Sequence, residues 1–122
     1  MKFTLHTTLH AAALAAAVLL AAPAARAGAD ASCHFHGNKP AAEATVVGCA
    51  MQYKNQLVSG NKVEKSWQAV TKPEKVEQID GKNGKEWRLT FRNPAATDKA
   101  KETLYLFYAM SGNFIAANHT GQ

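Results

Sequence analysis

The side chains best suited to chemistry in this sequence are its cysteines and histidines. Cys33, His34 and His36 lie close together, whereas Cys49 and His119 are separate. Thiolate sulfur and imidazole nitrogen are good ligands for zinc and copper. Alternate residues of an extended segment point to the same side, so His34 and His36 would face one ion together. The sequence predicts a metal site formed by His34, His36 and Cys33, with Cys49 or His119 as candidates to complete it.

The two cysteines have a competing use. Two cysteines in an exported protein usually pair, and Cys33 and Cys49 are 16 residues apart. A disulfide between them would constrain the unfolded chain by about 3 kcal/mol in the entropic model. It would also remove both thiolates from metal binding, so a disulfide and a thiolate–metal site exclude each other. The alternative is a buried Cys49 with a free Cys33.

An enzyme that uses Cys49 or His119 is the alternative from a different functional class. No acidic residue lies near His119 in the sequence, and Cys49 falls in an apolar helical pattern where burial would make it inert. The chain contains no GxGxxG, GxxxxGK[ST] or GxSxG motif. The sequence therefore favours a non-enzymatic protein with copper or zinc as its candidate cofactor.

The first 27 residues have the composition of a signal peptide. The apolar run from Leu9 to Ala22 is shorter than the about 20 residues that span a bilayer. Ala25-Arg26-Ala27 places small residues at the positions that signal peptidase reads, which predicts cleavage after Ala27, with Ala29 or Ala31 as alternatives. We therefore expect a periplasmic or secreted protein with no stable membrane span after cleavage.

The charge balance limits the classes of partner. The chain has 14 Lys and Arg against 9 Asp and Glu, a net charge of +5. Loss of Lys2 and Arg26 with the signal peptide leaves 12 basic against 9 acidic residues, a charge of +3. That excess does not indicate a nucleic-acid binder. Lys85, Arg88 and Arg92 could meet phosphate groups or form a solvated strand face. We expect a monomer whose partner is a metal ion or an unknown periplasmic protein.

Hydrophobic periodicity predicts one α+β domain over residues 40–122, preceded by a flexible leader over residues 28–39. A helix is expected to start at Asn38-Lys39-Pro40 and to end at Ser59-Gly60-Asn61, with Gly60 in the left-handed conformation. Apolar residues recur at helical spacing and should form its buried stripe. They are Val46, Ala50, Tyr53 and Leu57.

Beyond the helix the apolar period changes to two, which indicates an antiparallel meander of about four strands. The turn residues of 80–84 predict a hairpin loop. Trp87, Leu89 and Phe91 alternate with polar residues and should face the helix, giving a two-layer domain. The expected strands cover residues 75–80, 86–92, 103–110 and 114–118.

Three stretches carry a resemblance to a known family. They are the W-x-[LV]-T-F-x-N pattern of residues 87–93, the run over residues 103–107, and the closing G-x-[FY]-I-A-A-N-x-T-G pattern of residues 112–121. Together with Ser66-Trp67 they resemble a family of small exported bacterial proteins that is catalogued only as a domain of unknown function. Its members often carry a His-rich leader after the signal peptide, a feature that is reduced here to the segment 33–37.

A second resemblance is to PepSY-like domains, which also run from a helix into antiparallel strands. It rests on the strand, glycine turn and strand from Tyr105 to Ile115. PepSY-like modules are associated with binding and restraining partner proteins, so this resemblance implies an interaction or inhibitory role without metal. The sequence thus leaves open a metal-binding module and a protein-interaction module, beside the enzyme alternative.

Overall fold

The computed structural model describes residues 33–122, which form one α-helix, two short 3₁₀ helices and four strands. The expected signal peptide over residues 1–27 lies outside the described residues, as does the leader up to residue 32. Within the described part, no helix is both long and apolar enough to cross a bilayer. The elements are α1 (Glu43–Ser59), η1 (Lys65–Ala69), β1 (Lys75–Gly81), β2 (Gly84–Arg92), η2 (Lys99–Lys101), β3 (Thr103–Ala109) and β4 (Phe114–Asn118).

The four strands form one antiparallel sheet in the order β1-β2-β3-β4, which confirms the predicted meander. Gly81 pairs with Gly84, so only Lys82 and Asn83 form the turn between β1 and β2. Gly84 has a φ of 121°, a conformation that glycine adopts without strain. The register places Leu89 opposite both Val76 and Leu106 on the inner face of the sheet.

The helix begins later than the sequence predicts. It starts at Glu43 rather than at Asn38-Lys39-Pro40. The amide of Ala41 instead donates to the carbonyl oxygen of Met110 at 2.7 Å, and Ala42 has extended backbone angles. The residues expected in the first helical turn are therefore used to attach the chain to the turn between β3 and β4.

The helix ends at the predicted place, but a different residue adopts the left-handed conformation. Asn61 has a φ of 55°, whereas Gly60 has a φ of −84°. The amide of Asn61 donates to the carbonyl of Val58 at 3.1 Å, and the amide of Lys62 donates to that of Leu57 at 2.8 Å. Asparagine tolerates this conformation better than most residues, so the left-handed residue after the helix is Asn61 and not Gly60.

The core lies between α1 and the inner face of the sheet, as the two-layer prediction requires. Trp87, Leu89 and Phe91 are all buried there. The stripe on α1 differs from the prediction, because Tyr53 and Leu57 are only half-buried. The residues of α1 that are fully buried are Val46, Cys49, Ala50, Lys54 and Val58.

Candidate functional site

Cys33 and Cys49 are joined by a disulfide in the structure. The bond connects the leader to the buried face of α1, since Cys49 is 3% exposed. A closed loop of this length stabilises a fold by about 3 kcal/mol in the entropic model. In this oxidised form neither sulfur is a thiolate, so Cys33 supplies no ligand and two of the three predicted metal ligands remain.

The leader segment that follows Cys33 is docked on the turn between β3 and β4, although a flexible leader is expected there. The side-chain oxygen of Asn113 accepts the amide hydrogen of Phe35 at 2.7 Å. The side-chain nitrogen of Asn113 donates to the carbonyl oxygen of Phe35 at 2.8 Å. One asparagine thus satisfies both backbone groups of a residue 78 positions away in the sequence.

Gly112 makes room for this docked segment. It has a φ of 96°, and a Cβ placed there would come within 2.8 Å of the Phe35 ring. Both its backbone conformation and its lack of a side chain are therefore required. Sequence analysis missed Asn113 and Gly112 as functional residues, although their place in the closing motif was a signal that they serve more than a turn.

His34 and His36 lie on either side of the docked Phe35, and both are exposed. Their ring centroids are 4.9 Å apart, with the rings in an edge-to-face arrangement at 84°. The structure therefore brings together the two histidines that the sequence proposes as ligands. They line a surface cavity of about 340 Å³ with Lys39, Thr45 and Ser111.

The described residues provide no further ligand of the usual kind beside this pair. Among residues 33–122 no three His, Cys, Asp or Glu side chains are grouped so that they could hold one ion. Two imidazoles can bind a divalent transition metal when water or another molecule completes the coordination. Two side chains alone do not make up a closed structural metal site.

Cys49 and His119, the two residues of the enzyme alternative, are both held in contacts within the fold. Cys49 is disulfide-bonded and has no thiol. His119 follows β4, and its Nδ1 lies 2.7 Å from the carbonyl oxygen of Thr103. Glu64 lines the same cavity as His119, but both its carboxylate oxygens accept hydrogen bonds from Thr97. These contacts form no nucleophile–base pair.

The basic residues of β2 are engaged with carboxylates. Arg88 Nε donates to Glu77 at 3.1 Å, and Arg92 Nε donates to Glu102 at 3.0 Å. Hydrogen bonding from Arg88, with a smaller contribution from Lys75, lowers the pKa of Glu77 despite partial desolvation. This face is therefore a row of ion pairs, which favours a solvated strand face over a phosphate-binding one.

Comparison with known proteins gives one match, which covers the whole sequence. A family of unknown function, DUF6488, matches residues 1–122. The chain belongs to the DUF6488 family. No curated protein matches it, and no solved structure does.

In this DUF6488 chain, the end of the first motif holds the loop after β2 in place. Asn93 is 2% exposed, and its side-chain nitrogen donates to Ser66 Oγ at 2.8 Å. Its side-chain oxygen accepts from the amide of Ala95 at 3.1 Å. The final asparagine of W-x-[LV]-T-F-x-N therefore connects the β2–β3 loop to η1.

The closing motif folds the end of the chain back over the outer face of the sheet. The side-chain oxygen of Asn118 accepts from the amide of Gly121 at 2.8 Å. Gly121 has a φ of 81°, and a Cβ there would lie 3.1 Å from the Tyr105 ring. Its carbonyl oxygen accepts a hydrogen bond from Arg88 at 3.4 Å. The motif thus attaches the leader at one end, through residues 112–113, and the C-terminus at the other.

Proposed function

We propose that this protein is an exported, non-enzymatic binding module that binds a copper or zinc ion through His34 and His36. The observation that carries the proposal is the contact of the two imidazole rings, at 4.9 Å between centroids, on a segment attached to the domain. Exposed adjacent imidazoles without competing acidic partners are good ligands for such ions.

Docking of the leader favours binding because it reduces the conformational entropy that is lost when an ion orders its ligands. The disulfide fixes Cys33, Asn113 fixes Phe35, and the amide of Ala41 is bonded to Met110. His34 and His36 therefore lie between fixed points of the backbone. Exposure of both rings leaves their χ angles free to turn towards an ion.

An open two-histidine site suits reversible binding. Zinc generally takes four ligands, so solvent or a partner must supply the remaining ones. An ion held by two protein ligands exchanges more readily than one enclosed by four. We therefore propose a role in capturing or passing on a metal ion outside the cytoplasm, and not a structural role for the metal.

Calorimetric titration of the purified, oxidised protein with Cu(II) or Zn(II) tests this proposal. We expect binding heats for the native protein and none for the His34→Ala/His36→Ala variant. A His119→Ala variant is the matched control, because it also lacks a described histidine but keeps the pair, and it should bind like the native protein. Equal heats for the native and double-variant proteins, or no heat for either, would eliminate the site.

A protein-interaction module is the second candidate, and one observation favours it. Phe114 and Ile115 are 41% and 46% exposed and lie together on the edge strand β4. An edge strand with exposed apolar side chains can pair with a strand of another protein. A photo-crosslinking residue in place of Ile115 should then capture a partner in cells, whereas one in place of the exposed Lys82 should not. The same capture profile at both positions would remove this candidate.

A further inference from the structure

A second cavity lies at the end of the β3–β4 pair opposite the docked leader. Its volume is about 330 Å³, at the lower end of the range of small-molecule sites. Three segments form it: the loop after α1 together with η1, the loop that leads into η2, and the chain just after β4. The side chains that matter below are Lys62, Glu64, Trp67, Asp98, Lys101 and His119.

His119 lines this cavity, and one of its ring nitrogens is hydrogen-bonded to the backbone. Its Nδ1 lies 2.7 Å from the carbonyl oxygen of Thr103. A carbonyl oxygen only accepts hydrogen bonds, so Nδ1 must carry a proton. Nε2 is then the ring nitrogen that remains for an occupant. The same bond sets the orientation of the half-buried ring.

The two carboxylates of the cavity are already engaged by the backbone. Glu64 accepts from the amide of Thr97 at 3.1 Å through each oxygen, and also from its hydroxyl. These hydrogen bonds lower the pKa of Glu64. Asp98 Oδ1 accepts from the amide of Ala100 at 3.0 Å and caps η2. Both carboxylates therefore hold the loop in place.

The two lysines of the cavity have no such partners. Neither Lys62 nor Lys101 forms an ion pair within 4.0 Å or a side-chain hydrogen bond with any residue of the described part, 33–122. The lining therefore carries two positive and two negative charges, and its ammonium groups are the charged groups that have no partner within the described residues. Val63, which is half-buried, supplies apolar surface beside them, whereas Trp67 is 1% exposed and lies beneath the wall of the cavity.

We infer that this cavity binds a small organic acid, whose carboxylate or phosphate group meets Lys62 and Lys101 and whose apolar body lies against Val63. Charge-assisted hydrogen bonds from ammonium groups are the strong kind that such oxyanions receive. The site shares no residue with the histidine pair, so the test of acid binding is independent of the test of metal binding.

The test is a titration of the purified protein with benzoate, phenyl phosphate and neutral phenol, followed by amide and indole NMR shifts. Benzoate or phenyl phosphate should shift signals of residues 61–67, 97–101 and 119, and the stronger of the two identifies the acid group. Phenol lacks the anionic group and should bind at least about tenfold more weakly.

Two variants complete the test. A Lys62→Met/Lys101→Met variant should weaken binding of the acids by at least about tenfold. A Lys82→Met variant removes an exposed charge from the distant β1–β2 turn and should bind normally. Both variants change exposed side chains, and an unchanged remainder of the spectrum reports that they fold. No shift with either acid at millimolar concentration, equal binding of phenol, or undiminished binding by the double variant would overturn the inference.

Discussion

Lys54 is 1% exposed, although lysine is among the residues least often buried. Its ammonium group donates to the carbonyl oxygens of Trp67 at 2.8 Å and Val70 at 2.7 Å. Burial lowers the pKa of this amine. The apolar stem replaces a hydrophobic residue in the stripe of α1, and the charged end attaches η1 and the residue after it to the helix.

Replacement of Lys54 by Met should destabilise the fold. The variant keeps the apolar stem but leaves the carbonyl of Val70 without its donor, whereas that of Trp67 still accepts from the amide of Val70. An unsatisfied buried polar group costs about 1–3 kcal/mol. Urea denaturation should show the loss, whereas Lys65→Met, at an exposed position of η1, should change stability by less than about 0.5 kcal/mol. Equal stability of both variants would show that the buried bonds contribute nothing.

The ion pair of Glu77 and Arg88 should make a small, pH-dependent contribution. The pKa of Glu77 is lowered in the folded protein, chiefly by hydrogen bonding from Arg88, so folding favours the charged carboxylate. Its stabilisation, about 0.2–1 kcal/mol for a partly exposed pair, is present above the ordinary glutamate pKa and is lost as pH falls through the folded pKa. The stability difference between native protein and Glu77→Gln should therefore shrink in acid. A difference that grew towards low pH would contradict this sign.

At the level of elements, the turn between β3 and β4 holds the leader in place. Asn113 supplies hydrogen bonds to the backbone of Phe35, Gly112 supplies space, and Met110 accepts from Ala41. These contacts tie the chain before α1 to the far end of the sheet. The arrangement of the two histidines is therefore a property of this turn as much as of the leader.

Asn113→Ala should release the leader without unfolding the domain. Loss of both bonds to Phe35 should speed amide hydrogen exchange at Phe35 and Ala41, while amides of β2 stay protected, since the core does not depend on this contact. Metal affinity should fall as well, because the ligands are no longer held. Asn83→Ala, in the exposed β1–β2 turn, is the matched control. Unchanged exchange at Phe35 would show that Asn113 does not hold the leader.

The strands were predictable because their signals are local. Alternation through Trp87, Leu89 and Phe91 and the turn residues at 80–84 place β1 and β2 close to their observed bounds. The docked leader was not predictable, because Asn113 and Phe35 meet across 78 positions and no sequence period links them. The burial of Lys54 in the stripe of α1 was not predictable for a similar reason. The two carbonyl groups that accept from its ammonium group lie outside the helix, at Trp67 and Val70.

At the scale of the whole molecule, one small core carries the fold. This hydrophobic core joins the buried stripe of α1 to Trp67 and to the inner faces of β2 and β3. Leu89, Phe91 and Leu106 have no exposed surface, and they lie at the centre of the sheet. The disulfide adds to this core because it joins Cys33 to the buried Cys49 of α1.

Leu89→Ala should cost about 2–5 kcal/mol of unfolding free energy, a large part of what a domain of this size possesses. Leu89 contacts both neighbouring strands through its register partners Val76 and Leu106, so little collapse of the resulting cavity is possible. Chemical denaturation gives the value. Substitution of exposed Ile115 by Ala should cost far less, and equal losses would place the centre of the core elsewhere.

The central claim is that His34 and His36 together bind one metal ion on the docked leader. Pulsed electron paramagnetic resonance of the protein loaded with one equivalent of Cu(II) tests it most directly, because nitrogen couplings count the coordinated imidazoles. We predict couplings from two imidazoles in the native protein, from one in His34→Ala or in His36→Ala, and from none in the double variant. A native spectrum without imidazole couplings, or one that the double variant reproduces, would contradict the claim.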